Sequence, residues 1–279
     1  MEFQNYEQFF ERQTQIPWLK QEKLDQLKVL ILGIGGIGTN IAILCARLGI
    51  GSLFLVDNDR IEASNLNRQT LYSKNAIGKK KAEIAKKTLD ELDNINSEIF
   101  SYDYDIFQKW QQTLELIEKS DIILNGLDQP EIKRTLIAIA CYRLGKPMVY
   151  SGTDPHTGYS GMILYQSSKK DSACHECLQA ILNSIQKEEL RKKYTLKNIT
   201  DFESLNWKVL EPKTFKSLRT GATTVLTAML ASVIAMNVLI KVVHEQKVPE
   251  RIIFDLFNSN IEKFYVKKRK GCLVCGKEL

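Results

Sequence analysis

Val29-Leu30-Ile31-Leu32-Gly33-Ile34-Gly35-Gly36-Ile37-Gly38 is the stretch whose reading decides the fold. Four consecutive apolar residues, two of them β-branched, fit a strand covered on both faces, as strands of parallel sheets are. Glycines 33, 35, 36 and 38 then satisfy G-x-G-x-x-G, and a helix is predicted from about Thr39 to Leu48. Such a turn points backbone N–H groups and a helix N-terminus at phosphate oxygens. The following strand, Ser52–Val56, ends in Asp57-Asn58-Asp59. Asp57 stands where an acid is expected for ribose hydroxyls, about twenty residues beyond the glycines. To this point an NAD(P)-dependent oxidoreductase reads the same way.

Outward from this unit the pattern repeats. Helices are predicted at 79–92, 107–118 and 131–144, and strands at 97–102, 121–125 and 147–150. The alternation predicts an α/β fold with a doubly wound, mostly parallel Rossmann-like sheet. Right-handed crossovers gather the carboxyl ends of its strands on one edge. A helical arm, 1–27, precedes the nucleotide-binding core at 28–165. The C-terminal part, 166–279, begins after a β segment at 158–165 and completes one compact domain. It holds a polar loop, 178–218, that is the best candidate for a mobile segment, a core helix at 220–245, and strands at 251–257 and 263–266. The uncharged run from Thr220 to Ile240 has the length of a membrane span, but Thr223, Thr224, Thr227, Ser232 and Asn237 interrupt it and favour a buried helix.

Four cysteines stand as Cys174-x-x-Cys177 and Cys272-x-x-Cys275. One such pair suits a redox dithiol; two supply the four soft ligands of a structural zinc site, which would clamp the C-terminus. Disulfides and free thiols are the competing readings. His175 is a neighbour of the set, since four thiolates complete a tetrahedron. His156 and His244 read as surface or core residues, and Cys45 and Cys141 as small core residues. Metal-bound thiols and the lack of a basic-then-apolar leader point to a reducing cytoplasm.

With 279 residues, 44% of them hydrophobic, the chain buries a sizeable core. Its net charge is +6; residues 187–219 carry nine Lys/Arg against five Asp/Glu, and Lys267-Lys268-Arg269-Lys270 is a compact basic run. Both are read as solvated faces, because no nucleic-acid-binding motif accompanies them.

What separates the nucleotide readings is Asp57-Asn58-Asp59, then Asn65-Leu66-Asn67-Arg68-Gln69, then Gly78-Lys79-Lys80-Lys81. These resemble, in order and spacing, the D-x-D, N-L-x-R-Q and G-x-x-K motifs of the ThiF/MoeB/HesA adenylyltransferases, relatives of the ubiquitin-activating enzymes. The resemblance spans Phe9 to Gly276. It implies ATP, Mg2+ and Zn2+ as cofactors and a homodimer in which Arg12 reaches the partner's site. It also implies Asp57, Asp59 and Gln69 at the nucleotide, Asn65, Arg68 and Lys81 around its phosphates, and Asp128 at magnesium. The zinc pairs match as well, the second in the form C-x-x-C-G.

The implied activity is adenylation of the C-terminal carboxylate of a small β-grasp protein or a short peptide. Positive charge at Arg12, Arg68 and Lys81, with the metal at Asp128, would stabilise charge growing on phosphoryl oxygens. Two features depart from the sulfur-carrier activators. Residues 178–271 contain no cysteine, which removes the usual residue for a thioester or persulfide step. The 178–218 segment is also long, and in this it is similar to the microcin C peptide-adenylating branch. A transfer-RNA threonylcarbamoyladenosine dehydratase and a non-catalytic scaffold are the alternatives within the fold.

Overall fold

The computed structural model describes residues 6–92, 97–127, 131–169, 172–179, 221–272 and 275. In chain order the described elements are α1 (Tyr6–Thr14), α2 (Gln21–Asp25), β1 (Lys28–Leu32), α3 (Gly36–Arg47), β2 (Ser52–Val56), α4 (Lys81–Glu91), β3 (Glu98–Tyr102), α5 (Trp110–Lys119), β4 (Ile122–Asn125), α6 (Glu131–Arg143), β5 (Met148–Thr153), β6 (Ser160–Gln166), α7 (His175–Gln179), α8 (Val225–Val243), β7 (Arg251–Asp255) and β8 (Asn260–Phe264). The eight strands form one sheet in the order β3-β2-β1-β4-β5-β6-β7-β8. The first five run parallel, and β6, β7 and β8 each pair antiparallel with the strand before them.

Both faces of the parallel part are covered, as its continuous apolar runs require. Leu30, Leu32, Phe54 and Ile123 pack with Trp110, Ile117 and Ile137 of α5 and α6 on one face. Val29, Ile31, Leu53 and Leu55 pack with Ile41, Leu89 and Leu239 of α3, α4 and α8 on the other. The sheet is therefore doubly wound, with its reversal point at β1, whose neighbours β2 and β4 leave in opposite directions. The crevice for a ligand in such a sheet lies outside the strand carboxyl ends at that point.

Several boundaries differ from the expected ones for local reasons. The helix placed at 39–48 begins at Gly36, because the glycine turn is itself the first turn of α3. The helix placed at 79–92 begins at Lys81. Residues 79 and 80 are instead held in extended pairing, with Ile61 N donating to Lys79 O at 2.9 Å and a bridge between Arg60 and Lys80. Asp105 Oδ1 accepts from Phe107 N at 2.8 Å and Gln108 N at 3.0 Å, a turn that delays α5 to Trp110. The last strand lies at 260–264, not 263–266, and all its residues are exposed, so it carries no burial pattern to read.

α8 packs against α3, β5 and β6, as a core helix should. It is also long and apolar enough to cross a membrane by composition, with a mean hydropathy of 2.1. Its start is fixed by Thr224, whose hydroxyl accepts from Thr227 N at 3.2 Å, a standard N-cap. The core roles assigned to Cys45 and Cys141 hold: both are fully buried. Segment 178–218 falls, from residue 180 on, outside the described residues.

The helix α3 sits so close to β1 that a Cβ at Gly38 would lie 1.9 Å from the Gly33 carbonyl oxygen. Gly38→Ala is accordingly expected to destabilise the fold by about 1–3 kcal/mol, as overpacking does. Gly36→Ala meets only the flexible Arg68 side chain, at 3.3 Å, and should cost far less. Urea unfolding midpoints of the two variants check the difference.

Candidate functional site: a glycine turn flanked by Arg68 and Lys81

Gly33 takes a positive φ of 84°, a conformation for which glycine is suited, and turns the chain from β1 toward α3. Asp57, at the carboxyl end of β2, holds that turn. Its Oδ2 accepts from Ile34 N at 2.6 Å and its Oδ1 from Asp59 N at 2.8 Å. Burial pushes the Asp57 carboxyl above the usual carboxylate range, and the nearby Lys81 ammonium and the two N–H donors oppose that shift. Tyr72 closes the other side: its hydroxyl donates to the Ile34 carbonyl at 2.8 Å. At the end of the turn, Gly35 occupies the N-cap of α3 without a side-chain cap, so the helix N-terminus presents backbone donors. Thr39 Oγ1 donates to Gly35 O at 2.8 Å and Asn40 Nδ2 to Gly36 O at 2.6 Å, satisfying the carbonyls of the turn from within the helix.

Two side chains of the segment after β2, Arg68 and Gln69, reach this turn. A Cβ placed on Gly36 would be 3.5 Å from Arg68 Nε, so the Arg68 side chain lies over the glycines. Its Nη1 donates to Ser64 O at 2.8 Å and to Asn67 Oδ1 at 3.0 Å, which fixes the guanidinium in place. Gln69 is buried, with Nε2 4.0 Å from a Cβ on Gly35, and its Oε1 has no hydrogen-bond partner among the described residues. Asn65 is buried as well; its Oδ1 accepts from Glu62 N at 3.0 Å and shapes the short 3-10 turn Ala63–Asn65.

Lys81 arrives from the start of α4. Its side chain is only 8% exposed, and Nζ pairs with Asp59 Oδ2 at 2.7 Å. The glycines, Asp57, Asp59, Arg68, Gln69 and Lys81 thus come together at the carboxyl edge of β1 and β2, whereas the Asn65 side chain turns back onto Glu62 N. Asp128 lies outside the described residues; Asn125, just before it in β4, is buried and its Oδ1 accepts from Leu127 N at 3.1 Å. Arg12 is exposed on α1, away from the others. α1 docks at the opposite end of α3, where Gln13 Nε2 donates to Leu48 O at 3.0 Å, and a helix of 12 residues separates the two ends by roughly 18 Å. Tyr72 was not identified from sequence, because a tyrosine three residues past Gln69 belongs to no charged or glycine motif.

The second cluster lies under α6 and α7. The sulfurs of Cys174, Cys177, Cys272 and Cys275 lie within 4.8 Å of one another and all four residues are buried. Individual separations are 3.8 Å for Cys174–Cys177, 3.6 Å for Cys174–Cys272 and 3.3 Å for Cys177–Cys275. Tetrahedral ligands about 2.3 Å from a zinc ion stand about 3.8 Å apart, close to these values. Arg269 N donates to Cys177 Sγ at 3.3 Å, the kind of outer hydrogen bond that steadies a metal thiolate. His175 is buried beside the set with its ring edge-on to Tyr150, at 5.7 Å between centroids, and is not one of the clustered ligands.

The probable molybdopterin-synthase adenylyltransferase of Porphyra purpurea is 36% identical over 160 residues, 57% of this chain and 41% of that protein. The sulfur carrier protein ThiS adenylyltransferase of Escherichia coli K12 is 28% identical over 158 residues, 57% of this chain and 60% of that protein. The chain thus spans less than two thirds of the length of these relatives. Among solved structures, Escherichia coli MccB with MccA-N7isoASN superposes with a TM-score of 0.71 at 25% identity, covering 92% of this chain and 69% of that one. The ThiF family model matches residues 10–274, and the chain belongs to the ThiF family.

Proposed function

We propose that this protein uses Mg-ATP to adenylate the C-terminal carboxylate of a small β-grasp carrier protein or a short peptide. The observation that carries the reading is the convergence of Arg68 and Lys81 on an uncapped, glycine-lined helix N-terminus beside Asp57. In that reaction a carboxylate oxygen forms a bond to the α-phosphorus while the bond to the bridging oxygen of pyrophosphate breaks. Charge grows on the phosphoryl oxygens, and fixed cations and backbone N–H groups stabilise it because they are already oriented. Arg68 lies over the turn and takes the phosphates from above. Lys81 approaches from the α4 side, exchanging Asp59 for phosphate. The orphaned Gln69 Oε1, buried at the turn, is a further polar group that a bound nucleotide or its water can satisfy. Asp57 meets the ribose while its carboxylate keeps the turn closed.

Magnesium would be held by Asp128, the acid following β4, and would neutralise charge shared between the phosphates. Zinc would be held by the four clustered cysteines, whose spacing fits it, and would tie residues 272–275 to the start of α7; such a site suits a reducing cytoplasm. Relatives are named for two kinds of substrate: sulfur-carrier activators by sequence, and by structure MccB with the peptide MccA. The absence of a cysteine between 178 and 271 favours a product that stops at the acyl adenylate or passes to an external nucleophile.

The location of Arg12 supports a homodimer. Its own glycine turn is a helix length away, so Arg12 can serve a nucleotide only on another copy of the chain.

Arg68→Ala and Lys81→Met should each lower substrate-dependent pyrophosphate–ATP exchange by about 100-fold or more, the usual loss of a transition-state donor, with melting behaviour preserved. Exchange at the wild-type rate in either variant contradicts the site. Arg12→Ala mixed with Lys81→Met should regain exchange that neither shows alone; no gain on mixing contradicts the shared site. Elemental analysis should find about one zinc per chain, as four thiolate ligands require, and Cys272→Ser should lose both the metal and thermal stability. Metal-free protein with undiminished stability contradicts the zinc assignment.

A further inference from the structure

The carboxyl end of β3 carries a second lysine–aspartate pair that the phosphate site does not use. Lys80, at the start of α4, donates through Nζ to Asp103 Oδ2. The two side chains are 31% and 21% exposed, so the pair is half-sheltered yet open at the sheet edge. Among the described residues neither side chain has another hydrogen-bond or ion partner, and Asp103 Oδ1 is uncommitted. An isolated surface pair of this kind contributes little to stability, about 0–1 kcal/mol. Its position is more informative.

Three stations lie along one edge. The phosphate turn follows β1, Asp57 follows β2, and Asp103 follows β3. Val56 is in register with Tyr102, and Asp57 N donates to Tyr102 O at 3.2 Å, so the chain carrying Asp103 runs directly beside the ribose-end aspartate. A nucleotide with its phosphates at the first station and its ribose at the second reaches the third with its base.

There the pair offers an acceptor next to a donor. Adenine presents the complementary arrangement, an exocyclic N–H donor adjacent to a ring-nitrogen acceptor; a 6-oxopurine presents an oxygen acceptor next to that nitrogen. Building on the adenylation reading above, we infer that Asp103, oriented by Lys80, selects adenine over 6-oxopurine nucleotides by accepting the exocyclic amine. Lys80 donates to the neighbouring ring nitrogen. The oxygen of a guanine or hypoxanthine base would face the Asp103 carboxylate, acceptor against acceptor, and leave that carboxylate without its donor while Lys80 still meets the ring nitrogen.

Calorimetric titration of the full chain with Mg-ATP and with Mg-inosine triphosphate tests this. Wild type should bind ATP roughly tenfold or more tightly than the inosine nucleotide, the discrimination of a well-placed base contact. In Asp103→Asn, whose amide can also donate to an oxo group, that preference should fall about tenfold or invert with an unchanged melting point. If Asp103→Asn does not fold, Asp103→Ser is read for the same loss of preference. A variant that keeps the wild-type ratio overturns the assignment, as does a wild type that binds both nucleotides equally. Wild type that binds neither overturns the adenylation reading itself, and this inference with it.

Discussion

The site depends on a contact with no room in it. Gly38 passes the Gly33 carbonyl so closely that one added carbon would overlap it, and this approach seats the N-terminus of α3 on the edge of β1. Everything at the nucleotide end is arranged around that seat. Asp57 spends one oxygen on Ile34 N, Tyr72 spends its hydroxyl on Ile34 O, and the turn is thereby pinned from both sides before any ligand arrives. A pinned turn presents its N–H groups without reorganising, which is the condition under which backbone donors stabilise developing phosphoryl charge most.

The cations are handled differently. Two successive lysines at the start of α4 are each latched to an acid from a different strand end, Lys81 to Asp59 after β2 and Lys80 to Asp103 after β3. Lys81 is almost completely buried, and a buried ammonium without a partner would be strongly destabilising. Asp59 supplies that partner from a largely exposed position. The cluster of four cysteines is spatially separate: it lies under α6 and α7 and brings Cys272 and Cys275 beside Cys174 and Cys177.

Much of this was legible in the sequence because each signal has a local cause. The parallel strands read as continuous apolar runs since both their faces are covered. The glycine turn read correctly since only glycine tolerates the Gly33–Gly38 approach, and the cysteine cluster read correctly from its spacing. Legibility failed where partners are distant. Nothing adjacent to Tyr72 announces that it bridges to Ile34, nor is Asp103 marked as the partner of Lys80, since those contacts join segments from different strands. Strand β8 begins three residues before its expected start because an edge strand exposed at every position has no alternation to follow. Helix α4 was started early because Lys79 and Lys80 have good helical propensity but are recruited into pairing with Arg60 and Ile61.

The central claim is that the pinned turn and its two cations form one phosphate cradle. A crystal structure of the wild-type chain with magnesium and a non-hydrolysable ATP analogue tests it most directly. The account places the phosphates on the N–H groups of the Gly33–Gly38 turn, with Arg68 on their oxygens and Lys81 Nζ moved from Asp59 onto the nucleotide. Phosphates bound elsewhere, or a Lys81–Asp59 pair that stays intact beside them, would contradict it.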